Sequence, residues 1–221
     1  MNVSKTLLFT ALLSFAGLAS QAQVNFGIKG GFDEAYISDG DGYHFTGFGG
    51  VFVNANLGYH WHLQPEVLYS GAGGVYGNSA YYFNPNSPYN TTVSMGYVQI
   101  PVMLQYRFTP GFYLEFGPQL GLLTNATYIT DGERTSGTSD YQKTDFALDF
   151  GLGFRLGPVV SLFSRYELGL TNVYTETSDA QGSIPSAYNR NWQFGIAFTF
   201  PNHQEGGGGG GRGGRRYYYG R

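Results

Sequence analysis

Three short stretches hold the residue types from which catalytic or metal sites are built, and in each the spacing falls short. SDGDGYH, residues 38–44, brings Asp39, Asp41 and His44 together. Acidic residues alternating with glycine begin a calcium loop, but Gly50 stands where the bidentate acid would have to be. A Gly/Asp turn accounts for the segment. His60 and His62 have the i, i+2 spacing of two metal ligands on one strand face, yet no third ligand can be identified, and a turn with an interface accounts for the pair. GLGFRLG, residues 151–157, has the wrong glycine spacing for a dinucleotide fingerprint, and no helix follows it. Without a single cysteine, disulfides and thiolate sites are excluded. The expectation is no catalytic residue, no cofactor and no metal, hence no enzyme.

The remaining charges are placed more regularly, and the elements that place them show why. In WQFGIAFTF, residues 192–200, Trp192, Phe194, Ile196, Phe198 and Phe200 alternate with Gln193, Gly195, Ala197 and Thr199. Side chains of a strand point alternately to its two faces, so one face is apolar and the other small or polar. Seven more stretches repeat the pattern, among them Val24, Phe26, Ile28 and Phe32 against Lys29 and Asp33, and Phe146 through Leu156 against Asp149 and Arg155. With 35 glycines, 18% aromatic and only 12% charged residues in 221, the composition suits an all-β protein.

The links between the eight strands run long and short in turn. GYH, TPG and GP are tight, whereas the other four include GAGGVYGNSAYYFNPNSPYNTTVSM, TNATYITDGERTSGTSDYQ and TNVYTETSDAQGSIPSAYN. Short turns at one end and long loops at the other predict an eight-stranded antiparallel up-and-down transmembrane β-barrel, followed by a disordered C-terminal tail. Its polar face then lines the lumen with four cations, Lys29, Arg107, Arg155 and Arg165, and five anions, Asp33, Glu66, Glu115, Asp149 and Glu167. Near-neutrality lets these groups pair, as a low-dielectric interior requires. Eight strands enclose room only for side chains, so a packed charged lumen is expected rather than an open pore.

Lys5, the apolar run 6–19 and the small residues Ser20 and Ala22 form a signal peptide over residues 1–22, too short to span a bilayer. The domains expected are this leader, a barrel over 23–200 and a Gly/Arg/Tyr-rich tail over 201–221. VNFGIKGGF after the leader, LQPEVLYS, YVQIPVMLQYRF, GFYLEFGPQLGLL, DFGLGFRLG and SRYELGLTNV resemble the PorT-like outer-membrane β-barrel family of Gram-negative bacteria. The resemblance covers nearly all of the mature chain to Phe200 and implies the barrel fold and an outer-membrane location. Members of that family mostly lack an assigned biochemical role, and one branch is linked to protein secretion and gliding. The last strand, with Gln193, Gly195, Phe198 and Phe200, is similar to the terminal signal of outer-membrane barrels, whose free edge the assembly machinery pairs with by strand addition.

The leading functional expectation is a structural or interaction protein in outer-membrane lipid, with an envelope protein as partner. A small-solute pore and a rim-sited lipid or peptide hydrolase are the alternatives. Tyr76, Tyr81, Tyr82, Phe83 and Tyr89 form either a contact surface or strands prolonged above the membrane with aromatics paired across them. Past Phe200 the chain has an even strand number behind it, so the tail is expected in the periplasm. Gly206 to Gly211 make a spacer. Arg212, Arg215, Arg216 and Arg221, with Tyr217, Tyr218 and Tyr219, make a cationic aromatic tip, either simply solvated or holding anionic headgroups or an acidic protein. Neither the net charge of −3 nor an exported location suits nucleic acid.

Overall fold

In the computed structural model residues 24–38, 40–76, 91–108, 111–175 and 186–200 are described. The expected leader and tail, and Tyr81, Tyr82, Phe83 and Tyr89, lie outside them. Period-two alternation gives nine strands: β1 (Val24–Ile37), β2 (His44–Asn56), β3 (Trp61–Tyr76), β4 (Thr91–Arg107), β5 (Phe112–Thr130), β6 (Glu133–Ser136), β7 (Thr144–Arg155), β8 (Val160–Gly169) and β9 (Asn189–Phe200). Eight of them pair antiparallel in a ring that β1 and β9 close, from Phe26↔Phe200 to Ile37↔Asn189. The ninth, β6, folds back on the far part of β5. Asp131 and Gly132, with φ of 52° and 84°, make the two-residue turn between them. Positive φ at both positions marks the hairpin turn that Asp-Gly favours, so the long loop expected after β5 holds a hairpin.

The three short connections, β2–β3, β4–β5 and β7–β8, lie at the end where the described barrel begins and finishes. By the general asymmetry of such barrels this end is periplasmic. The outward faces carry Phe26, Ile28, Phe32, Val51, Val67, Phe116, Phe150, Leu152, Leu162 and Trp192, all strongly exposed. A continuous belt of large apolar side chains around a cylinder is stable against hydrocarbon and not against water. Aromatic pairs border the belt: Trp61–Tyr106 at 4.8 Å and Tyr106–Phe108 at 4.7 Å near the tight turns, Tyr36–Tyr43 at 5.5 Å and Tyr166–Trp192 at 5.0 Å toward the other end. Such girdles sit where lipid meets water.

Crossing a bilayer takes about 9–11 tilted residues, but β4 has 17 and β5 has 19. The surplus stands above the membrane, and there the sidedness inverts. Val93, Met95 and Ala126 are buried inside while Thr92, Ser94 and Thr127 face outward. With water outside instead of lipid, the apolar side chains turn inward. Together with Ile37, Ala72, Tyr76, Tyr97, Tyr141, Val173 and Ala187 they form a compact apolar core over the extracellular end. Gly71 to Tyr76 and Thr91 to Gly96 prolong β3 and β4 as paired strands. Tyr76, 2% exposed, is enclosed in this core and not displayed for contact.

Candidate functional site

On every strand carrying both signs inward, the cation lies nearer the periplasmic end. Lys29 precedes Asp33 on β1, Arg155 lies below Asp149 on β7, and Arg165 below Glu167 on β8. The lumen is thus layered by charge. In its middle Arg165, wholly buried, donates Nε at 2.9 Å and Nη2 at 2.7 Å to Glu115 Oε1, and Nη2 at 2.9 Å and Nη1 at 3.0 Å to Glu66. Lys29 Nζ donates to both Glu66 oxygens at 3.0 and 3.1 Å and sits 4.0 Å above the Phe163 ring. Four residues from β1, β3, β5 and β8 thereby join across the barrel. Paired and hydrogen-bonded, these charges are tolerated where single ones would not be.

The rest of the expected network is arranged differently. Asp149 Oδ2 stands 3.8 Å from Arg165 Nη1, beyond hydrogen-bond distance. Asp33 accepts from Ser70 Oγ at 2.7 Å, and Glu167 accepts from Gln99 Nε2 at 2.9 Å and Asn191 Nδ2 at 3.1 Å. Among the described residues neither carboxylate has an ion-pair partner, and neither do Arg107 and Arg155. Direct pairing, expected of all nine charges, is seen among the described residues only in the middle layer: above it Asp33 accepts from a hydroxyl, Glu167 from two amides, and both Asp149 oxygens are buried without a hydrogen-bond partner, while below it Arg107 donates to two amides. Asp145, which receives Asn189 Nδ2 at 2.7 Å, belongs to the upper layer and was missed. It directly precedes the apolar run that defined its strand, and its inward parity with Asp149 was the available signal.

Below the middle layer, Arg107 Nη2 donates to Asn54 Oδ1 at 3.2 Å and Gln105 Oε1 at 3.3 Å. Its Nε is buried with no partner. Gln105 Nε2 donates to Glu115 Oε2 at 3.0 Å, so a neutral side chain separates the guanidinium from the nearest acid in this chain of bonds. Arg107, Arg155 and Lys29 line one cavity of about 140 Å³ at the periplasmic mouth.

Apolar side chains also enter the lumen. Phe48, Phe52, Leu68, Phe163 and Ala197 cluster beside the charges, with Phe48 and Phe163 at 5.9 Å. Gly153 provides room for Tyr113: a Cβ there would fall within the tyrosine ring. In the extracellular core Tyr76 and Tyr174 share a hydroxyl hydrogen bond of 2.8 Å, and Tyr141 stacks on Tyr174 at 5.5 Å. Burial pushes the Tyr141 hydroxyl above the ordinary tyrosine pKa.

The early candidates for chemistry are scattered. His60, in the exposed β2–β3 turn, approaches Arg107 O at 2.8 Å through Nδ1, whereas His62 faces the lumen against Asn54 Oδ1 at 3.1 Å. Among the described residues no group of three His, Cys, Asp or Glu could hold a metal. Asp39 lies outside the described residues. Of the last-strand residues, Gln193 faces inward, Phe198 and Phe200 face lipid, and Gly195 approaches the β1 backbone at Gly31.

A family model described as outer membrane protein beta-barrel domain matches residues 19–175. Among solved structures, the chain is similar to Ail, the attachment invasion locus protein of Yersinia pestis, at 16% identity and a TM-score of 0.43, over 80% of this chain and 99% of that one. Neisserial surface protein A is similar at 13% identity and a TM-score of 0.47, over 81% and 97%. A designed transmembrane β-barrel follows at 12% identity and 0.39, over 81% and 95%. No curated protein matches.

Proposed function

Because the chain belongs to the outer membrane protein β-barrel domain family and lies in the outer membrane, we propose that it serves as a closed barrel with a structural or interaction role, neither conducting solutes nor catalysing a reaction. The observation that carries this reading is the bonding across the lumen. Arg165 on β8 reaches Glu66 on β3 and Glu115 on β5, Gln99 on β4 reaches Glu167 on β8, and the apolar core covers the extracellular end. Opening a path for solute would break buried charge-assisted hydrogen bonds, which are among the strong ones.

In this proposal the finer kinship is with PorT-like barrels, a signal peptide over residues 1–22 exports the chain, and the last strand is presented to the assembly machinery. The contact surface for an envelope partner is extracellular, and the cationic tail beyond Phe200 is a periplasmic tether for anionic partners. Purified protein in planar bilayers should show no stepwise conductance, and in vesicles no lipid hydrolysis. Steady ohmic steps would replace the reading with a small-solute pore, and phospholipid turnover would replace it with a rim-sited hydrolase. Co-purification from native membranes after cross-linking should return a stable envelope protein.

A further inference from the structure

The periplasmic mouth of the lumen carries more positive charge than its surroundings answer. Arg107 and Arg155 line the same cavity, and among the described residues neither makes an ion pair. Lys29, the third cation there, is held by Glu66, and among the described residues that line the cavity there is no carboxylate. The neutral neighbours of Arg107 are already committed: Asn54 Oδ1 accepts from His62 as well, and Gln105 Oε1 accepts from Asn54 as well. Its buried Nε has no partner. A guanidinium with an unused donor, sharing a confined and partly apolar cavity with a second guanidinium, is poorly compensated unless an anion joins it.

The cavity is built to admit one. Its volume of about 140 Å³ exceeds the share of several waters, at roughly 30 Å³ each. Pro158 in the exposed β7–β8 turn, with Asn25 and Thr199 near the strand ends, makes its lip, so entry is from the periplasmic side. Inward it stops at the Arg165 layer, and the closed barrel is left intact. We infer that the periplasmic mouth is a binding site for a phosphate-type oxyanion, held between the forks of Arg107 and Arg155. Tetrahedral oxyanions offer acceptors to both guanidiniums at once, which is the recognition that planar arginine donors favour. The phosphate arrives either free or as the headgroup of an inner-leaflet phospholipid.

The test uses the full chain, folded in detergent and then in nanodiscs, with inorganic phosphate titrated by calorimetry against a chloride background. Saturable binding displaced by sulfate is expected. Arg155→Gln, which removes no hydrogen bond described in the fold, and Arg107→Gln should each weaken it by about tenfold or more. Lys143→Gln, on an exposed cation at the opposite end, should leave it unchanged. Unheated and boiled gel mobilities establish that each variant is folded. Non-saturable uptake, or a phosphate affinity in either arginine variant unchanged from that of the unsubstituted chain, overturns the site. If nanodiscs of phosphatidylglycerol suppress phosphate binding and those of phosphatidylcholine do not, the occupant is a lipid headgroup. If neither suppresses it, the occupant is a soluble phosphate compound.

Discussion

Replacing Arg165 by Met tests what the middle of the lumen contributes to stability. The guanidinium gives two hydrogen bonds to Glu115 and two to Glu66. Without it Glu66 keeps Lys29 at 3.0 Å and the Gln64 amide at 2.8 Å, but Glu115 keeps only the Gln105 amide at 3.0 Å. Glu115 is 3% exposed, so water cannot take over. Removing one partner of a buried pair costs about 3–5 kcal/mol, because the charge left behind is uncompensated. Urea unfolding in phospholipid vesicles, followed by the fluorescence of Trp61 and Trp192, should record that loss for Arg165→Met. Adding Glu115→Gln should recover most of it, since a neutral amide needs no counter-charge. A loss below about 1 kcal/mol, the value of an exposed pair, would refute the reasoning, and so would a double variant no more stable than the single one.

Phe150→Arg, on the lipid-facing side midway along β7, should destabilise the barrel by about 2–4 kcal/mol, and Leu156→Arg beside the periplasmic turn by about 0–1 kcal/mol, measured by the same unfolding. Gly153→Val should cost about 1–3 kcal/mol from overpacking against Tyr113, and Tyr113→Ala in the same chain should relieve it, as thermal gel-shift midpoints would show. Truncation after Phe200 should leave the heat-modifiable barrel intact in outer-membrane fractions while removing a salt-sensitive association, scored by cross-linking in low and high salt.

The barrel was legible in the sequence because lipid imposes one rule on every outward side chain, and Phe146, Leu148, Phe150, Leu152 and Phe154 obey it without exception. Inward positions follow no such rule. In FTGFGGVFVNAN, residues 45–56, Phe45 has one parity and Phe48 and Phe52 the other, and it is the pairing with β1 and β3 that turns Phe48 and Phe52 into the lumen. The inward placement of Lys29, Glu66, Glu115 and Arg165 was readable from parity. Their joining in one cluster was not, because it depends on how β1, β3, β5 and β8 face one another across the barrel. The extensions above the membrane stood only as one of two alternatives for a related reason. Once the hydrocarbon is gone, Thr92, Ser94 and Thr127 are free to be polar outside, and the sequence resembles a loop. The Asp131–Gly132 turn signal was present and was passed over inside that apparent loop.

The reversal of sidedness above the membrane bears on how the protein enters it and how long it stays. Insertion must carry the outward hydroxyls of Thr92, Ser94 and Thr127 through the hydrocarbon before Val93, Met95 and Ala126 find their partners on the far side. Withdrawal must first dismantle that far-side core and then drag the same hydroxyls back. Polar groups crossing apolar solvent without partners raise the barrier in both directions. The extracellular core therefore acts as a rivet head: it contributes to residence time through the rate of extraction, beyond what the equilibrium stability of the spanning strands would supply.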